Sequence, residues 1–220
     1  MVVQSRYSGG MSSLADLFSP DGSLARHLPG YTHRDAQEDM AHSVAAALAR
    51  SQHLAVEAGT GIGKTFGYLV PALLSGKRAV ISTGTLTLQD QLYGRDLPLL
   101  GSVIGRPVRI ALLKGRSNYL CWHRLETAQA GGVRDSRTLE QLLPLAAWAR
   151  STSVGDLTEI EDLAADHALR PWLTSTTDNC LGNRCEFFDE CFLVEARRRA
   201  QAADIIIVNH HLLLADLALK

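Results

Sequence analysis

Two groups of residues have types and spacings suited to chemistry. The first is Ala58-Gly59-Thr60-Gly61-Ile62-Gly63-Lys64-Thr65, which follows an apolar run and opens an apolar-periodic stretch. Glycines let successive backbone N–H groups converge on an anion, and a helix starting there adds the positive end of its dipole. In such a loop Lys64 reaches the β- and γ-phosphates of a nucleotide and the Thr65 hydroxyl binds Mg²⁺. Ala58 stands where the strict pattern has glycine. The second group is Cys121, Cys180, Cys185 and Cys191, separated by 58, 4 and 5 residues. Four thiols, three of them within twelve residues, point to a metal site rather than to disulfides in a reducing compartment. Only one pair is tight, so the spacing matches neither paired zinc knuckles nor the ferredoxin patterns, and leaves zinc and iron–sulfur both open. Trp122, Phe187, Phe188 and Phe192 flank the thiols and could shield a cluster from water.

The elements that must position these groups follow from periodicity. A helix is predicted over Asp35–Arg50, where Met40, Val44, Ala47 and Leu48 recur at helical spacing, with Thr32 or Asp35 as its cap. His53–Glu57 reads as a strand leading into the glycine loop, and Lys64–Ser75 as a helix with Pro71 as a kink. Arg78–Thr83 and Val108–Leu113 read as further strands, with a helical stretch over Leu86–Tyr93 between them. That alternation is the mark of an α/β domain with a doubly wound sheet. It breaks at Lys114. Residues 114–203 read as helical and cysteine-bearing, and the β-branched run Ile205–Val208 then returns as a buried strand.

The chain has 220 residues, 46% of them hydrophobic, and a formal net charge of -1, so any surface for nucleic acid must be local rather than global. No apolar run approaches the ~20 residues needed to span a bilayer. The first residues lack the pattern of a secretory signal, which gives the expectation of a cytoplasmic protein with no membrane partner. Organised sequence begins just after Met11.

With both groups in view, the chain resembles the XPD-like superfamily 2 iron–sulfur DNA helicases, in their DinG/YoaA branch and its YoaA members in particular. The resemblance runs from about Phe18 to the last residue. It rests on Glu57–Thr65 with Tyr68–Leu73, Ser82–Leu92, Leu113–Cys121, Asp178–Cys185 and Val208–Asp216. It implies a RecA-like parallel sheet with helices on both faces, carrying a helical insertion whose four cysteines hold a [4Fe–4S] cluster. The expected organisation is a flexible lead over 1–17, motor domain 1 over 18–113, the cluster insertion over 114–203, and a return strand and helix over 204–220.

The implied activity is ATP-dependent 5′→3′ unwinding of single-stranded or forked DNA in repair or replication-fork maintenance. A replication-machinery partner would bind through regions outside this chain. Arg34 and Gln37 fall where such helicases sense adenine. Thr83, Thr85, Gln89 and Gln91 fall where they touch the strand backbone, although strand-end and capping roles suit the same residues. Lys114, Arg116 and Arg124 with Tyr119 and Trp122 offer charge and rings for a single strand. The Asp-Glu-Ala-His carboxylates that complete such a motor are not among these residues, so the motor is expected to be incomplete here, hydrolysing ATP poorly and not unwinding by itself. Two other readings stay open: a P-loop ATPase with a zinc-binding insertion and no nucleic-acid track, and a non-catalytic fragment that binds ATP and single-stranded DNA.

Overall fold

The computed structural model describes residues 13–164 and 167–218. The elements follow the order α1 (Leu14–Phe18), α2 (Ser23–His27), α3 (Asp35–Arg50), α4 (Lys64–Leu74), β1 (Ala79–Thr83), α5 (Leu86–Gln91), α6 (Leu97–Ile104), β2 (Ile110–Leu112), α7 (Trp122–Thr127), α8 (Ser136–Ser151), α9 (Arg170–Leu173), α10 (Phe192–Ala202), β3 (Ile205–Asn209) and α11 (His210–Ala218). The three strands form one small parallel sheet in the order β1-β3-β2, flanked by helices, so the fold is mixed α/β. No described helix is long and apolar enough to cross a membrane.

The chain divides into two compact units. One holds the residues up to Ala79 together with Asp90–Ile110, and the other holds Val80–Gln89 together with the chain from Ala111 onward. The first unit begins with a capping box. Ser13 accepts from the Asp16 N–H, and the Asp16 carboxylate accepts from the Ser13 N–H, at 3.1 and 3.0 Å. Residues 13–17 of the expected flexible lead are thus ordered into α1, which buries Leu17 and Phe18, while residues 1–12, Met11 included, lie outside the described residues.

Helix α3 spans the predicted residues, but Arg34 occupies its cap position without a side-chain bond. Neither Thr32 nor Asp35 caps it; Asp35 instead accepts from His33 at 2.9 Å. The helix stops at Ser51, whose left-handed φ of 54° turns the chain. Helices α3 and α4 pack closely at Gly67, where an added Cβ would meet the Met40 sulfur at 3.0 Å. The predicted strand His53–Glu57 does not form. Those residues enter no described ladder, and Leu54 and Val56 are 46% and 43% exposed. An apolar run becomes a strand only when a neighbour supplies the hydrogen bonds, and no described strand pairs with this segment.

The second unit has its core in the cysteine-bearing region. Leu120, Leu125, Leu142, Leu157, Leu169 and Leu173 form one buried cluster, with Trp122, Trp148, Trp172 and Phe192 packed against it. Every such aliphatic side chain contributes about 1.5–3 kcal/mol by leaving water. Strand β3 is buried along Ile205–Val208, as its unbroken apolar run requires. Gly155 has a φ of 63°, and a Cβ there would fall inside the Phe192 ring. Gly182 has a similar φ of 59° with open space around it. Gly155→Ala is therefore expected to destabilise this unit by about 2–4 kcal/mol, against about 1 kcal/mol for Gly182→Ala. Urea melts of the two variants check this, and equal losses would mean that the ring contact is unimportant.

Candidate functional site

The glycine loop lies in the first unit and ends directly in α4. Gly61 and Gly63 have φ of 80° and 82°, the left-handed conformation that lets consecutive N–H groups face one anion. The helix has eleven residues, enough to present an ordered N-terminus. Lys64 is folded over the loop, its Nζ donating to the Ala58 carbonyl at 3.0 Å and the Gly59 carbonyl at 2.8 Å. An arriving phosphate would compete with those two carbonyls for the ammonium. Thr65 is half-buried, and burial pushes the Tyr68 phenol above its ordinary pKa. Thr60 is exposed and Ile62 half-buried.

Gln37 from α3 reaches the loop. Its Nε2 donates to the Gly63 carbonyl at 2.7 Å, and the residue is only 2% exposed. The amide occupies the space that a Cβ on Gly63 would need, so Gly63 is required both by its φ and by this contact. The Gln37 Oε1 is buried without a described partner. Arg34, three residues earlier, is exposed. The structure thus brings Gln37, and not Arg34, against the phosphate loop.

The segment after β1 lies mainly in the second unit. The Thr83 hydroxyl donates to the Thr85 carbonyl at 3.0 Å, and Thr85 Oγ1 accepts from the Leu88 N–H at 3.2 Å, capping α5. Thr83 and Gln89 are buried, with both amide atoms of Gln89 unpartnered among the described residues. Ser82 and His210 Nδ1 lie 2.7 Å apart. In the first unit, Gln91 Nε2 donates to Asp96 at 2.8 Å.

All four cysteines line one cavity of about 110 Å³, together with Arg116, His123, Asn179, Phe188 and Arg197. Each thiol is half-buried. Burial raises the Cys121 pKa above its ordinary value, and the neighbouring Cys191 and Cys185 push it the same way, against hydrogen bonds from the Arg124 backbone and Ser175 that lower it. Among the described residues, no three His, Cys, Asp or Glu side chains converge on a point that could hold a single metal ion. Trp122 and Phe192 stack beside the thiols, their centroids 5.8 Å apart.

Cys121 is held by residues distant in sequence. Its N–H donates to Leu173 O at 2.7 Å, and that of Leu120 donates to Gly155 O at 2.9 Å. Lys114 Nζ pairs with Asp156 at 2.6 Å and donates to Thr158 at 2.9 Å, while its own N–H donates to the Tyr119 hydroxyl at 3.0 Å. Lys114 and Tyr119, expected beside a strand, are thus 3% and 5% exposed and frame the cysteine region, whereas Arg116 stays half-buried at the cavity. Arg170, Asp156 and Gly155 were not visible as site residues in the sequence. Arg170 donates to the carbonyls of Ser117, Leu163 and Ala164 at 2.9, 2.8 and 3.1 Å. Partners that are backbone carbonyls up to 53 positions away leave no motif to read.

No family model matches the chain. It is similar to the ATP-dependent DNA helicase YoaA of Escherichia coli K12, at 48% identity over 94% of this chain and 33% of that protein. It is also similar to the ATP-dependent helicase DinG of Mycobacterium tuberculosis H37Rv, at 38% identity over 85% of this chain and 32% of the relative. A protein named 3'-5' exonuclease DinG in Bacillus subtilis 168 shares 35% identity over 88% of this chain and 21% of its own length. The chain therefore spans a third or less of these curated relatives.

Two outcomes follow from the geometry. Lys114→Met strands the Asp156 carboxylate and should cost about 3–5 kcal/mol, of which the further change Asp156→Asn should restore part. Fully additive losses in urea melts would refute the pair. Gln37→Ala should cost about 1 kcal/mol through the lost Gly63 bond. It should also weaken nucleotide binding by loosening the loop, and unchanged affinity by calorimetry would mean that the loop holds its own shape.

Proposed function

The chain is a close homologue of the YoaA and DinG helicases over most of its own length, and from that premise we propose that it supplies the nucleotide-phosphate loop and the cluster insertion of an ATP-dependent 5′→3′ DNA helicase. The observation that carries this reading is the 48% identity across 94% of the chain to a protein named an ATP-dependent DNA helicase, and the polarity is what the resemblance implies. The left-handed glycines ahead of α4 support ATP as the ligand, bound through its phosphates by Lys64 and the loop amides, with the Thr65 hydroxyl on Mg²⁺.

Cys121, Cys180, Cys185 and Cys191 would hold the [4Fe–4S] cluster that the resemblance implies, and their lining of one cavity supports a shared group. Such a cluster supplies a four-point covalent anchor and one-electron redox capacity. The aromatic pair Trp122 and Phe192 shields the thiols from water, and the Leu173 carbonyl fixes the Cys121 backbone. In this reading the exposed Thr85 and the half-buried Arg116 and Gln91 keep side-chain surface for a strand, whereas Thr83, Gln89, Lys114 and Tyr119 are buried and hold the backbone around them. The parent protein would work on single-stranded or forked DNA in the cytoplasm, in repair or fork maintenance.

Anaerobic purification with iron, sulfide and zinc analysis tests the cluster. About four irons per chain with matching sulfide is expected, while stoichiometric zinc without sulfide would favour the P-loop ATPase with a zinc insertion. Lys64→Ala should abolish ATP binding measured by calorimetry, and wild-type affinity in that variant would defeat the nucleotide assignment.

A further inference from the structure

Beside the cysteine cavity, in the same unit, lies a second and more open pocket of about 370 Å³ lined by Arg124, His167, Arg170, Thr174, Thr176 and Asn179. Among the described residues, none that lines it is a carboxylate. Several of its acceptors are also consumed internally. Asn179 Oδ1 accepts from the Thr176 N–H at 2.7 Å, and Thr176 Oγ1 accepts from the Asn179 N–H at 3.3 Å. His167 Nδ1 accepts from the Leu169 N–H at 3.2 Å, which leaves the ring proton on Nε2. Arg124 spends Nε and one N–H of Nη2 on the Pro171 carbonyl, leaving both N–H groups of Nη1. The Thr174 hydroxyl donates to the Arg170 carbonyl at 3.0 Å, so what this pocket chiefly offers a ligand is N–H donors.

Arg170 adds a buried positive charge. It is 9% exposed and its three hydrogen bonds go to neutral carbonyls. Among the described residues the acid that acts on it is Asp156, which is also paired with Lys114. An anion in the adjoining pocket would offset part of the cost of burying that charge. The volume far exceeds the roughly 30 Å³ share of one water.

We propose that this pocket is a phosphate-binding site, with Arg124, His167 and the Asn179 amide as the contacts and Arg170 as the fixed charge behind them. Two sources present that chemistry, a backbone phosphodiester of a nucleic-acid strand and free phosphate. The strand-borne form rests on the DNA-track reading above. Asn179 lines both this pocket and the cysteine cavity, so an anion here would sit against the loop that carries Cys180.

The test uses the whole chain with its native metal content, a fluorescent oligo-dT followed by anisotropy, and inorganic phosphate followed by calorimetry. Two variants are compared with wild type: Arg124→Gln, which removes a donor, and Thr174→Glu, which places a carboxylate in the pocket. Thr174→Glu should keep or raise the melting temperature, since the carboxylate lies among cations, and so separates lost binding from lost folding. The strand-borne form predicts that both variants weaken oligo-dT binding about tenfold at low salt and lower the slope of log K against log[salt] by about one. Loss of inorganic-phosphate binding alone, with oligo-dT unaffected, also supports the pocket and assigns it to free phosphate. Phosphate binding by a wild-type chain that takes no oligonucleotide would sink the DNA-track reading and leave the pocket standing. Wild-type affinity for both ligands in both variants, or no binding of either ligand by wild type, overturns the proposal.

Discussion

The cysteine-bearing region depends on one buried ion pair, Lys114 with Asp156 at 2.6 Å. This part of the chain contains short helices and turns with almost no strand ladder, so its backbone polar groups need partners that regular structure does not supply. Lys114 provides them at one end. Its side chain draws the Asp156 loop inward, its own N–H meets the Tyr119 hydroxyl, and Tyr119 forms an isolated antiparallel bridge with Asp156. From that junction the Gly155 carbonyl reaches the Leu120 N–H, and the next residue is Cys121. Arg170 ties the far side through three carbonyls. Two buried cations thus do the work that a sheet would do elsewhere. Each must be fully partnered, because an orphaned buried charge costs several kcal/mol.

The phosphate loop is built on a different constraint, the closeness of two helices. Gly67 lets α4 approach Met40 of α3, and that approach brings Gln37 onto the Gly63 carbonyl. The loop conformation is then set by two left-handed glycines and one side-chain bond. Lys64 rests on the Ala58 and Gly59 carbonyls, a placement from which it can turn to a phosphate without any change in the helix behind it.

The thiols illustrate what packing adds to spacing. Spacing alone left zinc and iron–sulfur both open. The fold brings Cys121 to the cavity that Cys180, Cys185 and Cys191 also line, although 58 residues separate it from Cys180. Trp122 and Phe192, which follow the first and last of these cysteines, stack on each other.

Local information was enough for much of the chain. Helical periodicity located Asp35–Arg50 to the residue, the glycine loop announced itself through its spacing, and the β-branched run marked β3, because each signal is carried by neighbours along the sequence. Where a feature needs a partner elsewhere, the sequence was silent or misleading. His53–Glu57 has strand composition but no neighbour to pair with, and Ser13–Leu17, read as a lead, folds because two side chains close a capping box over an apolar pair. Lys114 and Tyr119 read as surface charge and ring, yet tertiary contacts bury both. The type and order of the chemical groups were determined by the sequence itself. Which of them face solvent, which face a shared cavity and which hold the frame was decided only by the tertiary structure, since burial and long-range hydrogen bonding are properties of the packed chain and not of any segment of it.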